Sequence, residues 1–241
     1  MPLKALIFDV DGTLAETEEL HRQAFNETFW AHSVADLWPD AKNGWKWDQL
    51  TYRRLLATTG GKERIAAYLR DDLGIDPAPW TDQIAAIHRT KTERYVALIA
   101  GGALRLRPGI SELIDEGLRA GLKLAIATTT SRPNVDELLR FCFGPLGGTL
   151  FSSIHAGEDV VRKKPAPDVY ILSLDRLGVP ASECIAFEDS RNGLIAAHAA
   201  GLRCIISPSM YTAGDDLSGA DLTVNEFSEV KLERLITAAS T

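Results

Sequence analysis

Leu3-Lys4-Ala5-Leu6-Ile7-Phe8-Asp9-Val10-Asp11-Gly12-Thr13-Leu14 is an apolar run that ends abruptly in two aspartates spaced two apart, followed by glycine and threonine. A short, continuous apolar stretch is the pattern of a strand buried on both faces, as inside a parallel sheet. On an extended backbone residues i and i+2 point to the same side, so Asp9 and Asp11 should project together just past the strand's carboxyl end. Open α/β sheets place their ligands there. Two neighbouring carboxylates repel, so a cation must hold them or one must keep a proton. A hard divalent cation, magnesium, fits best, because it takes oxygen ligands from a few carboxylates and a substrate phosphate. Asp and Gly are also ordinary turn residues, so a polar turn after a buried strand stays open for this segment alone.

The 241 residues suffice for one large domain, or for a core domain with a smaller partner. With 45% hydrophobic and 24% charged residues the composition is that of a soluble globular protein, and no apolar run is long enough to span a membrane. The first strand begins almost at the N-terminus, so no signal or transit peptide is expected. Of the three cysteines, Cys184 and Cys204 lie in apolar, strand-like segments and read as buried, reduced thiols, as Cys142 makes the number odd. A reducing compartment is expected, the cytoplasm. A net charge of −7 argues against nucleic acid as a partner, while leaving room for a small anionic ligand held by local positive charge.

Further strands are expected at 123–128, 149–154, 183–188 and 202–207, alternating with helical patterns at 110–120, 134–143, 166–177 and 193–200. Each connection has the length of a right-handed βαβ crossover, which makes a doubly wound, mainly parallel, Rossmann-like α/β sheet. The stretch 16–107 breaks that rhythm and reads as helices alone, at 16–31, 47–58, 62–72 and 81–99. Within it, Trp38, Trp45 and Trp47 belong to a segment, 32–48, with no usable period, and read as a small aromatic core. Arg107-Pro108-Gly109 closes the insert. The expected organisation is a core made of 1–15 and 108–241 with a helical domain, 16–107, inserted after the first strand.

Three later segments match the aspartate pair. Ala125-Ile126-Ala127-Thr128-Thr129-Thr130-Ser131 ends a buried strand in consecutive hydroxyls, which suit phosphate oxygens or, equally, a turn and helix cap before Pro133. Lys163-Lys164-Pro165-Ala166-Pro167-Asp168 precedes a helix and offers a point charge for phosphate, unless it is a solvated basic loop. Ala186-Phe187-Glu188-Asp189-Ser190 ends another strand in paired acids, able to complete an oxygen cage or merely to cap a helix. Four such features, each at or beyond a strand's carboxyl end, are far more specific than any one of them.

With Asp9-Val10-Asp11-Gly12-Thr13, Thr128, Lys164-Pro165 and Glu188-Asp189 the chain resembles the haloacid dehalogenase-like hydrolase superfamily over essentially its whole length. The resemblance implies that Asp9 attacks a phosphoryl group and forms an aspartyl-phosphate, and that Asp11 serves as acid and then as base. It implies Mg2+ held by Asp9, the Asp11 backbone carbonyl and Asp189, with Glu188 helping either directly or through a neighbouring ligand, and phosphoryl oxygens stabilised by Thr128 and Lys164. It also makes the helical insert a cap, where substrate choice should reside.

Ala15-Glu16-Thr17-Glu18-Glu19-Leu20-His21, Thr59-Gly60-Gly61-Lys62-Glu63-Arg64 and His88-Arg89-Thr90-Lys91-Thr92-Glu93 are the informative stretches of the insert. Glycines permit close backbone approach, and two basic groupings in a lid point to a second anion site, hence to a sugar bisphosphate. Each grouping taken singly also reads as a solvated helix face. Together with Thr128-Thr129-Thr130-Ser131 and Pro133-Asn134 they are similar to the CbbY family within that superfamily. That resemblance implies a phosphatase for xylulose 1,5-bisphosphate, an inhibitor of Rubisco, releasing xylulose 5-phosphate. It puts Glu18, Gly60, Gly61, Lys62, Arg64, His88, Arg89, Lys91, Ser131 and Asn134 against a phosphosugar substrate; His21, able to shuttle protons beside the opening acids, and Thr129 join the candidate contacts, and a monomer is expected. A phosphosugar mutase of the β-phosphoglucomutase type shares fold and nucleophile, and a non-catalytic phosphosugar-binding regulator shares the fold; both remain alternatives.

Overall fold

The computed structural model describes residues 2–39, 45–102 and 104–238. It divides into two compact units, one made of Met1–Glu16 with Leu104–Thr241 and the other of Thr17–Ala103. In chain order the first strand is β1 (Ala5–Phe8). The second unit follows, with helices α1 (Glu18–Ala31), α2 (Val34–Leu37), α3 (Gln49–Leu55), α4 (Gly61–Ala67) and α5 (Thr81–Ala100). The first unit then resumes with α6 (Ile110–Arg119), β2 (Lys123–Ala127), α7 (Arg132–Phe143), β3 (Ser153–His155) and α8 (Asp168–Leu177). It ends with β4 (Cys184–Glu188), α9 (Arg191–Ala199), β5 (Arg203–Ile206), β6 (Leu222–Thr223) and α10 (Leu232–Ala238).

In the first unit the strands pair in the order β3-β2-β1-β4-β5-β6, every pair parallel. β1 is central, its four residues fully buried, as the apolar run predicts. Alternation along it divides the sheet's two faces. Ala5 and Ile7 cluster with Ala125, Ala127, Ala186, Val169 and Tyr170. Leu6 approaches α6, where a Cβ on Gly117 would lie 3.1 Å from it. Small alanines in three adjacent strands leave room for the Tyr170 ring of α8.

The expected strand at 149–154 is displaced. Residues Gly147–Leu150 form a 3-10 turn, and β3 is confined to Ser153–His155. A short apolar run does not by itself fix where a strand begins, and here its first two residues fall in the turn. The helix expected at 166–177 starts at Asp168, because Pro165 and Pro167 keep the preceding chain out of the helix ladder. β6, only two exposed residues long, carries no apolar pattern and was not anticipated.

In the second unit α1 packs along α5, and the helical reading of the insert holds. Tyr68–Asp72 continues α4 as a π-helical turn. Trp38, Trp45 and Trp47 are buried and pack with Phe25, Phe29, Tyr52 and Tyr68, which makes them the aromatic core expected. Positions 40–44 of that segment lie outside the described residues. All three cysteines are free thiols, Cys184 and Cys204 buried and Cys142 half-buried. Among the described residues no helix is long and apolar enough to cross a membrane.

Candidate active site

The carboxyl edge of the first unit's sheet gathers the four strand-end motifs. Asp9 follows β1 directly, its backbone N–H donating to the Phe187 carbonyl of β4 at 3.1 Å. Its side chain meets Lys164, whose ammonium lies 2.6 Å from Asp9 Oδ1, 2.6 Å from Glu188 Oε1 and 2.8 Å from the Ala127 carbonyl. An ammonium has three protons, and these three acceptors match them. Lys164 is only 3% exposed, so it is no solvated loop lysine. It reaches the site from the loop before α8.

Burial is the dominant influence on Asp9 and raises its pKa; Lys164 opposes the rise, while Glu188 and Asp11 add to it, leaving the carboxyl pushed up to about 7. Burial alone would lower Lys164, but Asp9 and Glu188 overcome that and hold it above the ordinary lysine range. The two aspartates of the opening motif thus differ: Asp9 is buried and Asp11 half-buried.

Asp9, Glu188 and Asp189 each offer one oxygen, all within 4.8 Å of one another. Glu188 is fully buried, and its Oε2 has no hydrogen-bond partner among the described residues. A buried carboxylate oxygen left unpaired beside two further carboxylates is the donor set of a hard divalent cation. Asp11 is outside that cluster of side-chain oxygens, and the sequence reading gives it only a backbone carbonyl in the metal role. Gly12 closes the turn after Asp11 at φ +77, and a Cβ there would lie 2.2 Å from Asp189 Oδ2. Backbone geometry and contact both demand glycine at that position.

Thr128 is buried at the end of β2, its N–H donating to the His155 carbonyl at 3.0 Å and its hydroxyl accepting from Thr130 N at 3.3 Å. Thr129 is half-buried. Ser131 stands at the start of α7 but its side chain makes no capping bond, and both Ser131 Oγ and Asn134 Oδ1 are buried without a partner among the described residues. The helix-cap alternative for Ser131 therefore fails. Asn134 donates instead to the Thr130 hydroxyl at 2.9 Å.

Two features of this edge were missed in the sequence. Tyr170 donates to Glu188 Oε1 at 2.6 Å from the first turn of α8. Thr212, beyond β5, places its hydroxyl 2.8 Å from the Asp189 carbonyl and 3.0 Å from Asp189 Oδ2, and accepts from Ser209 N at 2.9 Å. The run Ser207-Pro208-Ser209 after an apolar strand is the one trace of the latter in the sequence; Tyr170 leaves none beyond its place in an amphipathic helix.

In the second unit the expected residues form three groups. Tyr52 donates to Glu18 Oε2 at 2.7 Å and receives a bond from Arg64 at 2.8 Å, with the guanidinium 5.1 Å from the Tyr52 ring centre. Gly60 has φ +92, and a Cβ on Gly61 would fall 2.4 Å from the His88 ring. His21 is buried and stacked on Tyr95 at 3.9 Å, with Nδ1 2.5 Å from Lys91 Nζ. His21, Arg64 and Lys91 are buried rather than solvated, whereas Lys62 and Arg89 are exposed.

Comparison with known proteins matches residues 3–201 to the haloacid dehalogenase-like hydrolase family. The CbbY protein of Cereibacter sphaeroides is 56% identical over 228 residues, 95% of this chain and 94% of that protein. The CbbY protein of Rhodobacter capsulatus is 54% identical over 228 residues, 95% of each chain. The crystal structure of a CbbY variant from Rhodobacter sphaeroides in complex with xylulose-(1,5)bisphosphate superposes with a TM-score of 0.84 at 54% identity, covering 94% of this chain and 96% of that one. The chain belongs to the haloacid dehalogenase-like hydrolases and, within them, to the CbbY group.

Proposed function

We propose that this phosphatase takes one phosphoryl group from a sugar bisphosphate, xylulose 1,5-bisphosphate, and releases xylulose 5-phosphate and inorganic phosphate. The observation that carries the reading is the likeness, over 94% of the chain, to the solved CbbY complex with that bisphosphate. Asp9 is the nucleophile: its carboxylate bonds to phosphorus as the sugar oxygen departs with a proton from Asp11. Asp11 then takes a proton from the water that hydrolyses the aspartyl-phosphate. Lys164 and the Thr128 hydroxyl oppose the negative charge on the transferring oxygens. Asp9, Glu188, Asp189 and the Asp11 carbonyl would hold Mg2+, which supplies charge neutralisation and orientation when bound.

Substrate selection belongs to the helical unit, 16–107 as read from the sequence, acting as a cap. There Glu18 and His21 serve the sugar, Gly60, Gly61, Lys62 and Arg64 with His88, Arg89 and Lys91 serve the distal phosphate, and Thr129, Ser131 and Asn134 complete the contacts from the core. The enzyme works as a monomer in a reducing compartment, the cytoplasm or a plastid stroma, with no nucleic-acid or membrane partner.

A screen of phosphorylated sugars, with Mg2+ and with chelator, tests the reading by following free phosphate and isomerised monophosphate together. Xylulose 1,5-bisphosphate should lead, chelator should stop turnover, and Asp9→Asn should lower the rate by several orders of magnitude while leaving the fold intact. A strongly preferred monophosphate would overturn the bisphosphate reading, and isomerised sugar without phosphate would identify a mutase.

A further inference from the structure

Glu188 presents two chemically identical oxygens in two unlike surroundings. Oε1 receives the Lys164 ammonium at 2.6 Å and the Tyr170 hydroxyl at 2.6 Å. Oε2 is buried and receives nothing among the described residues. The carboxylate also lies against the backbone of α9, where a Cβ on Gly193 would come within 2.0 Å of its carboxyl carbon and of Oε2. We propose that Tyr170 is a positioning residue, whose hydroxyl joins Lys164 on Oε1 of Glu188 and thereby commits Oε2 as the oxygen offered to a divalent cation. This rests on the reading of Asp9, Glu188 and Asp189 as a cation site.

The argument is one of donor supply. The last torsion of a glutamate is broad and nearly two-fold, so packing alone fixes a carboxylate plane poorly. Lys164 cannot fix it unaided, because its three protons are divided among Asp9, Ala127 and Glu188. A second donor on the same oxygen supplies the missing constraint, and an ionised carboxylate only accepts, so the Tyr170 hydroxyl must donate. The ring itself is held by the alanine-lined sheet face and lies with its centre 5.0 Å from Lys164 Nζ. One aromatic side chain therefore braces both the lysine and the glutamate. Partners of this kind on metal-ligating carboxylates are worth about 10- to 100-fold in metal affinity or activity.

Titration calorimetry of the full chain with MgCl2 alone, without substrate, tests the assignment on wild type, Tyr170→Phe and Tyr170→Met. Both variants remove the hydroxyl and keep an apolar side chain of similar volume, so the second serves if the first fails to fold. The dissociation constant for Mg2+ should weaken about 10-fold or more in either variant. The melting temperature in chelator reports packing separately, and Ile171→Ala, exposed on the same helix, should bind Mg2+ as wild type does. A variant that melts lower but binds Mg2+ within about twofold of wild type would make Tyr170 a packing residue and overturn the proposal. A wild-type chain that takes up no Mg2+ would overturn the cation site, and this assignment with it.

Discussion

Asp9 and Asp11 stand two residues apart and carry the same side chain, yet the fold gives them different environments. Asp9 is buried between Lys164 and the acids of β4, and its carboxyl is pushed up to about 7, burial being the main cause and Lys164 the main restraint. In the proposed chemistry only the ionised carboxylate attacks phosphorus, so acid removes the nucleophile. At limiting Mg2+, kcat/KM should therefore fall about tenfold per pH unit below 7. A cation favours the ionised form, so raising Mg2+ should move the inflection to lower pH. Rate profiles from pH 5 to 9 at two Mg2+ concentrations check both statements. An inflection near the ordinary aspartate value at low Mg2+, or one indifferent to the metal, would contradict them. Nothing in Asp9-Val10-Asp11 foretells the division, because it depends on burial by the folded chain and on Lys164, 155 positions along it.

At the level of elements, α9 shows how a site overrides local preference. Ser190 caps the helix, accepting from Gly193 N at 3.2 Å. Glycine there costs helix stability of about 1 kcal/mol relative to alanine, so propensity alone makes Gly193→Ala stabilising. The added Cβ would lie 2.0 Å from the Glu188 carboxylate, which is fixed by two donors and has nowhere to retreat. Overpacking of this kind costs about 1–3 kcal/mol, more than the propensity gain. The variant should unfold at lower urea concentration than wild type; an increase in the midpoint would show that Glu188 moves freely. The same distinction separates what the sequence disclosed from what it hid. Uninterrupted apolar runs marked β1, β2, β4 and β5, and the acids, hydroxyls and lysine at their ends marked the site's edge. β3 slid because Thr149 and Leu150 belong to the 3-10 turn Gly147–Leu150 rather than to the strand, and two-residue β6 is too short to have a period. Tyr170 and Thr212 were hidden because each reaches the acids from a different element, a contact that spacing along the chain does not encode.

Across the whole molecule, the first unit is discontinuous: its central strand lies in Met1–Glu16 and the remaining strands in Leu104–Thr241. The rejoining point needs its own device. Ala15 bridges Leu106 in antiparallel fashion, and Arg107 N donates to the Leu14 carbonyl at 2.8 Å. The Arg107 guanidinium, buried at 4% exposure, then donates to the Gly12 carbonyl at 2.6 Å and to the Ser207 carbonyl and hydroxyl at 2.7 Å each. It also meets the Pro208 carbonyl at 3.1 Å, with its face over Phe227 at 5.2 Å. One side chain thus ties the turn after Asp11 to the loop beyond β5, the loop that also carries Thr212. In the sequence Arg107 reads only as the residue before a Pro-Gly break. Arg107→Met keeps the stem and removes every donor, leaving several buried carbonyls unpaired. Hydrogen bonds to a charged group are worth about 1.5–3 kcal/mol each, so a loss of about 3 kcal/mol is the minimum expected. For a chain of this size that lowers the melting temperature by roughly 6–12 °C. Arg107→Lys should recover only part of it, since an ammonium at the end of a flexible stem cannot span acceptors on two loops as a planar five-donor fork does. Thermal melts of the three proteins decide the point. Equal melting of Arg107→Met and wild type would assign the joining of the two segments to the backbone bridge alone.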